Sequence, residues 1–120
     1  MARILVVDDE PDIVRMVVRT LEARGHQVVV ARDGAAALEL CATTPPELLI
    51  VDANLPQVEG AEVIRRLRAS PHTRALPIVM MSAADVSLGE ASEGADELVM
   101  KPFVRETLVR NVERLLAPRR

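Results

Sequence analysis

Aromatic residues are nearly absent from the sequence. Phe103 is the only one among 120 residues, and there is no Trp or Tyr. Proteins that bind single-stranded nucleic acids stack bases on aromatic side chains, so this chain lacks the platform for such contacts. Its net charge of −3 gives no overall attraction to phosphate backbones or to anionic lipids. We expect no direct nucleic-acid binding by this chain and no membrane association.

Cysteine and long apolar runs are equally scarce. The single cysteine, Cys41, cannot form an internal disulfide, and its place on an apolar helical stripe favours core packing over a nucleophilic role. The N-terminal apolar run covers only 4–7 before three acids follow, which fits neither a signal peptide nor a membrane span. These features predict a cytoplasmic protein.

The composition that remains is that of one globular domain. Hydrophobic residues make up 49% of the chain and charged residues 28%, which allows both a core and a wetted surface. Single domains usually contain about 100 to 150 residues, so the chain is too short for two. We predict one domain over residues 1–120.

Short apolar runs alternate with amphipathic stretches along the whole chain. Runs that are apolar on successive residues are typical of parallel strands buried on both faces. The predicted strands are Ile4 to Val7, Val28 to Ala31, Leu48 to Val51, Ile78 to Met81 and Leu98 to Met100. The predicted helices run from Pro11 to near Gly25, from an N-cap at Asp33 to about 44, from near Gly60 onward, over a short fourth stretch within 86–93, and from Val104 to Leu116.

The inner faces of these helices follow from hydrophobic spacing. They carry Ile13, Val14, Val17, Val18 and Leu21; Ala37, Leu38 and Cys41; Val63, Ile64 and Leu67; and Leu108, Val112, Leu115 and, at the end, Leu116. Repeated strand–helix units predict an α/β fold, with a doubly wound parallel sheet and helices on both faces. In such sheets ligands bind beyond the carboxyl ends of the strands.

Charged and polar residues follow the predicted strands at that edge. Asp8, Asp9 and Glu10 follow the first strand, and Asp52 follows the third, with Asn54 two residues later. Ser82 follows the fourth strand, and Lys101 with Pro102 follows the fifth. If the first and third strands are neighbours, Asp8, Asp9 and Asp52 share one small volume, because adjacent strands lie about 5 Å apart.

Carboxylates that crowd together need a proton or a cation. Mg²⁺ prefers oxygen ligands and leaves coordination positions free for phosphate. A zinc site is improbable because no His or Cys lies near these strand ends, and we expect His26 and His72 to be solvated turn residues.

The lysine content makes Lys101 distinctive. Fourteen of the 15 basic residues are arginine, and the one lysine falls at the strand end that faces the acids. A compact ammonium can approach a carboxylate or phosphate as a point charge, whereas the arginine fork needs a different geometry.

With these residues in view, the sequence resembles the receiver domain of bacterial two-component response regulators, and the resemblance covers essentially the whole chain. The motifs that carry it are Val6-Val7-Asp8-Asp9-Glu10, Val51-Asp52-Ala53-Asn54-Leu55-Pro56 with Gly60 beyond, Met81-Ser82-Ala83, Gly94-Ala95-Asp96 and Lys101-Pro102-Phe103. Their order and spacing are specific together, although none would be alone.

The resemblance implies a sheet of strand order 2-1-3-4-5 and a phosphorelay function. Asp52 would accept a phosphoryl group from a sensor histidine kinase or phosphotransfer protein in a Mg²⁺-dependent reaction, and the conformational change would control an output such as an effector domain. The residues that would carry the site are Asp9 and Asp52 as direct Mg²⁺ ligands, Asp8 directly or through water, the Asn54 carbonyl, and Ser82, the Ala83 N–H and Lys101 toward the phosphoryl oxygens. The Lys101–Pro102 bond would be a cis peptide.

Two departures from the family concern signal output. Leu98 occupies a position, three before the lysine, where the family commonly has an aromatic residue. The segment from Ser82 to Lys101 also looks about one helical turn short, with the loss in the fourth helix. The phosphorylation chemistry should be unaffected by both changes, but the family's usual way of transmitting the signal is not implied.

Three alternatives compete with this interpretation. A haloacid dehalogenase-type phosphatase would need a second acid two residues after Asp52, where Asn54 stands and cannot act as general acid. A flavin carrier would need a hydroxyl- and glycine-rich phosphate loop where the three acids stand. A receiver-like interaction module that works without phosphorylation stays open, and phosphodonor labelling separates it from a working receiver. The kinase, pathway, output and oligomeric state do not follow from the sequence.

Overall fold

The structure is a computed structural model that describes residues 2–83 and 94–117. Its strands are β1 (Arg3–Val7), β2 (Gln27–Ala31), β3 (Leu48–Asp52), β4 (Ile78–Ala83) and β5 (Glu97–Lys101). Its helices are α1 (Pro11–Glu22), α2 (Gly34–Thr43), α3 (Gly60–Ala69) and α4 (Arg105–Leu116). The short helix predicted within 86–93 lies outside the described residues.

The five strands form one parallel sheet of order β2-β1-β3-β4-β5. This order confirms the predicted fold. Successive side chains of a strand point to opposite faces, so each central strand contributes side chains to two hydrophobic cores, one on each face of the sheet. Leu5 and Val7 pack with α2 and α3, whereas Ile4 and Val6 pack with α1 and α4.

Burial on both faces is observed only for the central strands. Every residue of β3 is buried, and β1 and β4 are buried except at one end. The edge strands differ from the prediction, because β2 alternates between exposed and half-buried residues up to the buried Ala31, and β5 buries only Val99. An edge strand has a neighbour on one side only, so the helical layers do not cover it fully. Val29 of β2 is 38% exposed for this reason.

The helix boundaries follow local signals. The α1 helix begins at Pro11, and the missing N–H of proline costs nothing there because the first helical position has no acceptor within the helix. Gly25 lies beyond the end of this helix with φ +88°. The Asp33 carboxylate accepts a hydrogen bond from the Ala36 N–H at 2.8 Å, which confirms the predicted N-cap of α2. The α3 helix begins at Gly60 as predicted.

Some side chains lie in different environments from those expected. Leu115 and Leu116 are only half-buried, and Asn111 is buried in α4 instead, with its Oδ1 accepting a hydrogen bond from Arg114 at 2.7 Å. His72 is exposed as predicted, but His26 is half-buried because its Nδ1 accepts the Ala2 N–H at 3.2 Å. Cys41 is buried in the core, as its helical spacing indicates.

Membrane insertion has no candidate among the helices of residues 2–83 and 94–117, since none combines the length and the apolar character needed to cross a bilayer.

Candidate functional site

The site is built at the carboxyl edge of the sheet. β1 and β3 are neighbours with Val7 opposite Val51, so Asp8 and Asp52 come next on adjacent strands. Asp52 is the last residue of β3 rather than a loop residue, and Asp8 directly follows β1. Both carboxylates are buried, which fixes their positions but removes most of their hydration.

A tight approach of α3 fixes the end of β3. The Gly60 N–H donates to the Ala53 carbonyl at 3.1 Å, and a Cβ added at Gly60 would lie 2.3 Å from the Asp52 carbonyl oxygen. No side-chain atom fits at that distance from a backbone oxygen, so position 60 requires glycine. The start of α3 therefore packs directly against the backbone at the end of β3, where Asp52 lies.

Lys101 places one ammonium among three carboxylates. Its Nζ lies 3.1 Å from Asp8 Oδ2, 3.2 Å from Glu10 Oε1 and 3.2 Å from Asp52 Oδ1. The lysine side chain is 13% exposed, so these contacts are poorly screened by water. The register of β4 and β5 sets Lys101 opposite Ala83, next to the end of β4.

The charges shift the pKa values of two of these groups. Burial, and then the negative charge of Asp8, raise the pKa of Asp52, while the charge and hydrogen bond of Lys101 and the Asn54 backbone N–H oppose that rise. Burial alone would lower the pKa of Lys101, but the Asp8 hydrogen bond, the charges of Asp52 and Asp8, and the Glu10 hydrogen bond raise it above its usual value. Lys101 is therefore held as a cation, and it favours the ionised form of Asp52.

One carboxylate oxygen from each of Asp8, Glu10 and Asp52 lies within 4.8 Å of the other two, and these residues form a group that could hold a metal ion. We call these three residues the acidic cluster. Asp9 and Asn54 are exposed, and Asp9 is not part of this cluster. Sequence reasoning assigned Glu10 no role at the site. Its position next to Asp9 was the available signal, but only the folded chain shows that its side chain reaches Lys101.

Asp8 is also held by the backbone that follows it. Its Oδ1 accepts the Glu10 N–H at 2.9 Å, while its Oδ2 contacts Lys101. Both oxygens of this fully buried carboxylate thus have donors, which offsets the cost of burying its charge.

Ser82 and Ala83 end β4 on the other side of β3. Asp52 is paired with Met81 in the sheet, so Ser82 is the next residue along on the adjacent strand. Ser82 is buried, and its hydroxyl donates to the Ala83 carbonyl at 3.2 Å. Among residues 2–83 and 94–117, the Ala83 carbonyl is the one hydrogen-bond partner of this hydroxyl.

The remaining predicted features lie in β5 and after it. The Lys101–Pro102 peptide bond is cis, which confirms the prediction. Leu98 is half-buried against the core formed with α2 and α3, and Phe103 is half-buried against the core formed with α1 and α4. The shortened segment after Ser82 falls mainly outside the described residues.

Comparisons with known proteins agree with the fold. The family model described as the response regulator receiver domain matches residues 4–113. The transcriptional regulatory protein PrrA of Mycobacterium leprae is 37% identical over 120 residues, which cover 98% of this chain and 51% of that protein. The chain belongs to the response regulator receiver domain family, whose members act in phosphorelay signal transduction, and it spans about half the length of the curated relatives it matches.

Solved structures give the same family. The chemotaxis response regulator CheY4 of Vibrio cholerae has a TM-score of 0.88 and 32% identity, with 96% of this chain and 98% of that chain covered. The receiver domain of the sensor histidine kinase PA1611 of Pseudomonas aeruginosa has a TM-score of 0.87 and 25% identity, with 96% and 97% covered. That structure contains a magnesium ion coordinated in its active-site cleft.

Proposed function

We propose that this chain, as one receiver domain over 1–120, accepts a phosphoryl group on Asp52 from the phosphohistidine of a sensor kinase or phosphotransfer protein. The observation that carries the proposal is the contact of 3.2 Å between Lys101 Nζ and Asp52 Oδ1 at the carboxyl edge of the sheet. It places a buried nucleophilic carboxylate beside a cation that can hold phosphoryl oxygens.

The chemistry needs little from other side chains. An Asp52 carboxylate oxygen attacks phosphorus, the bond from phosphorus to the donor histidine nitrogen breaks, and the imidazole leaves as an acyl phosphate forms. No separate base is required, since the attacking group is a carboxylate whose ionised form Lys101 and the Asn54 N–H favour. The receiver thus catalyses its own phosphotransfer, and attack of water on phosphorus returns the carboxylate and inorganic phosphate.

The donor set suits Mg²⁺. The acidic cluster supplies only hard oxygen donors, and Lys101 alone leaves it with a net negative charge. Within the cluster, Asp52 would bind the ion directly and Asp8 directly or through water. Asp9, which lies outside the cluster, would be a second direct ligand, and the Asn54 carbonyl would complete the protein ligands. Bound Mg²⁺ supplies positive charge to the phosphoryl oxygens during transfer.

Ser82 and Ala83 complete the phosphoryl site. The Ser82 hydroxyl donates to the neighbouring Ala83 carbonyl at 3.2 Å, and it would turn from this carbonyl toward a phosphoryl oxygen. The Ala83 N–H follows it on the same strand end, next to Lys101. Movement of this strand end toward the acyl phosphate would be the conformational switch.

The output of the switch is proposed from the relatives. The chain covers about half of the transcriptional regulatory protein PrrA. We infer that an effector domain or a protein partner receives the signal. Leu98 replaces the aromatic residue usual in the family, so the signal passes without the rotation of an aromatic ring in β5.

Intact-protein mass spectrometry tests the proposal. The protein is incubated with acetyl phosphate and Mg²⁺, with and without a chelator, beside Asp52→Asn. The control variant is Asp12→Asn, which removes an exposed acid of α1 whose partner is Arg15. We expect one phosphoryl adduct that requires Mg²⁺, is lost in Asp52→Asn and persists in Asp12→Asn. A folded protein without an adduct would leave the phosphorylation-independent interaction module as the better account.

A further inference from the structure

The ammonium of Lys101 contacts three carboxylates in the unphosphorylated protein. A lysine has three N–H donors, and Asp8, Glu10 and Asp52 each lie 3.1 to 3.2 Å from its Nζ. Phosphorylation converts the Asp52 carboxylate to an acyl phosphate, so the contact of Asp52 with Lys101 passes to a phosphoryl group that carries more negative charge. Asp8 and Glu10 are the two carboxylates that must then share the ammonium with this group or leave it.

Burial separates these two carboxylates. The side chain of Asp8 is 0% exposed, so it would be left with a buried and poorly compensated charge if it lost the lysine. The Glu10 side chain is 60% exposed and regains water as soon as it leaves. Glu10 is therefore the partner that is displaced at the least cost.

The backbone allows this exchange. The Glu10 N–H is fixed by Asp8 Oδ1 at 2.9 Å, and the next residue, Pro11, begins α1. The Glu10 side chain can turn about its own bonds toward solvent while its backbone stays in place. Release of Lys101 therefore needs no movement of the sheet or of α1.

We propose that Glu10 is a positioning residue that occupies Lys101 in the unphosphorylated protein and gives way to the incoming phosphoryl group. The proposal rests on the proposed function of Asp52. The Glu10 carboxylate competes with the phosphoryl oxygens for one hydrogen-bond position, so it lowers the affinity of the site for a phosphoryl group and slows phosphorylation. It sets how readily this receiver responds to its donor.

The sole lysine permits a direct measurement in the resting protein. Labelling with ¹⁵N-lysine gives a side-chain NMR signal from Lys101 alone, since the chain contains no other lysine. We expect Glu10→Gln to shift this signal, because the charge that accepts its N–H is removed. Asp12→Asn carries the same change of charge at a site that does not contact Lys101, and it should leave the signal unchanged.

Binding of beryllofluoride, a phosphoryl analogue, measures the competition without turnover. In the presence of saturating Mg²⁺, we expect Glu10→Gln and Glu10→Ala to bind it about two- to fivefold more tightly than the wild type, since an exposed ion pair contributes no more than this. The rate of phosphorylation by acetyl phosphate should rise by the same factor. Asp12→Asn should match the wild type in both.

The results separate this proposal from the proposed function. If the wild type accepts phosphoryl groups but Glu10→Gln leaves the Lys101 signal and beryllofluoride affinity unchanged, the proposal about Glu10 is wrong while the function stands. A Glu10→Gln variant that binds Mg²⁺ more weakly by calorimetry and is phosphorylated more slowly would also overturn it, and would assign Glu10 to the metal. A wild type that binds no beryllofluoride overturns both.

Discussion

Gly60 packs its α-carbon directly against the backbone carbonyl of Asp52, and a Cβ there would lie 2.3 Å from the carbonyl oxygen and 3.0 Å from the Ala53 Cα. Both atoms belong to the backbone, so neither can turn away as a side chain would. The start of α3 and the end of β3 are thereby held together beside the proposed phosphoacceptor.

The first prediction concerns this contact. Gly60→Ala should lower the free energy of unfolding by about 1–3 kcal/mol, because the chain must shift to admit the methyl group. The shift moves Asp52, so phosphorylation should slow as well. Urea unfolding followed by circular dichroism and adduct formation followed by mass spectrometry measure the two effects.

Gly25→Ala is the matched control. Gly25 has φ +88° with no atom within 4 Å of an added Cβ, so its substitution strains the backbone without crowding any neighbour. It should destabilise the protein by about 1–2 kcal/mol and leave phosphorylation unchanged. If both variants slowed phosphorylation equally, the effect of Gly60→Ala would reflect lost stability rather than displacement of Asp52.

The second prediction follows from the raised pKa of Asp52. Burial and the Asp8 charge raise the pKa of Asp52 in the folded protein, so its ionised carboxylate costs stability above that pKa. The cost disappears below the ordinary carboxyl pKa of about 3.9. Without metal, Asp52→Asn should therefore raise the melting temperature at pH 7, and this gain should shrink as the pH falls toward 4.

Saturating Mg²⁺ should make the wild type melt at a higher temperature than Asp52→Asn. The ion binds the folded wild type through the carboxylate that the variant lacks, so saturating Mg²⁺ should raise the wild-type melting temperature more. Thermal unfolding with Mg²⁺ and with chelator, at pH 4 and pH 7, measures both effects. Equal melting temperatures with chelator at pH 7 would show that Lys101 fully offsets the cost of the Asp52 charge.

Much of the fold could be predicted because its signals are local. The apolar runs of β1, β3 and β4 are buried on both faces, and Pro11, Asp33 and Gly60 mark helix starts by the chemistry of the single residue. The edge strands were predicted less well. Which strand lies at an edge depends on the order of the sheet, and no local pattern in β2 or β5 encodes that order.

The candidate site could likewise be predicted only in part from the sequence. Asp8, Asp52 and Lys101 follow or end strands of one parallel sheet, and the strand order implied by the resemblance brings these residues together. The contact of Glu10 with Lys101 depends on how one flexible side chain lies above a site formed by three strands. Neither the spacing nor the type of Glu10 distinguishes it from an ordinary acid before a helix, and only the folded arrangement assigns it a partner.

The third prediction concerns Asp96, at the opposite edge of the sheet. Its Oδ2 accepts the Ile78 N–H at 2.8 Å and a guanidinium N–H of Arg68 at 3.1 Å, which joins the starts of β4 and β5 to α3. Asp96→Ala leaves both donors without this acceptor and should cost about 1–3 kcal/mol. Asp12→Ala, which breaks an exposed pair with Arg15, should cost no more than about 0.5 kcal/mol.

Urea unfolding of both variants measures this difference. Phosphorylation of Asp96→Ala should stay close to the wild type at temperatures where it is folded, since Asp96 contacts none of the proposed site residues. Similar stability of the two variants would show that water replaces the Asp96 carboxylate at the Ile78 N–H.

The fourth prediction concerns Cys41. Burial raises the pKa of its thiol to about 11, and the thiolate is the reactive form. At pH 8 iodoacetamide should therefore alkylate the folded protein far more slowly than the urea-unfolded protein. A Cys41→Ala, Ala69→Cys variant, which moves the thiol to an exposed position at the end of α3, should react at the unfolded rate in both states.

The same shift sets the direction of a pH effect. A folded thiol pKa of about 11 lies above the ordinary value of about 8.5, so folding favours the neutral thiol. The stability this gives is complete below about pH 8.5 and is lost as the pH rises toward 11. Cys41→Ala should therefore lose less stability than the wild type between pH 8.5 and 10.5, as measured by urea unfolding. Equal losses of stability in the two proteins would mean that Cys41 does not ionise on unfolding in this pH range. Rapid alkylation of the folded wild type at pH 8 would show that the core opens locally around α2.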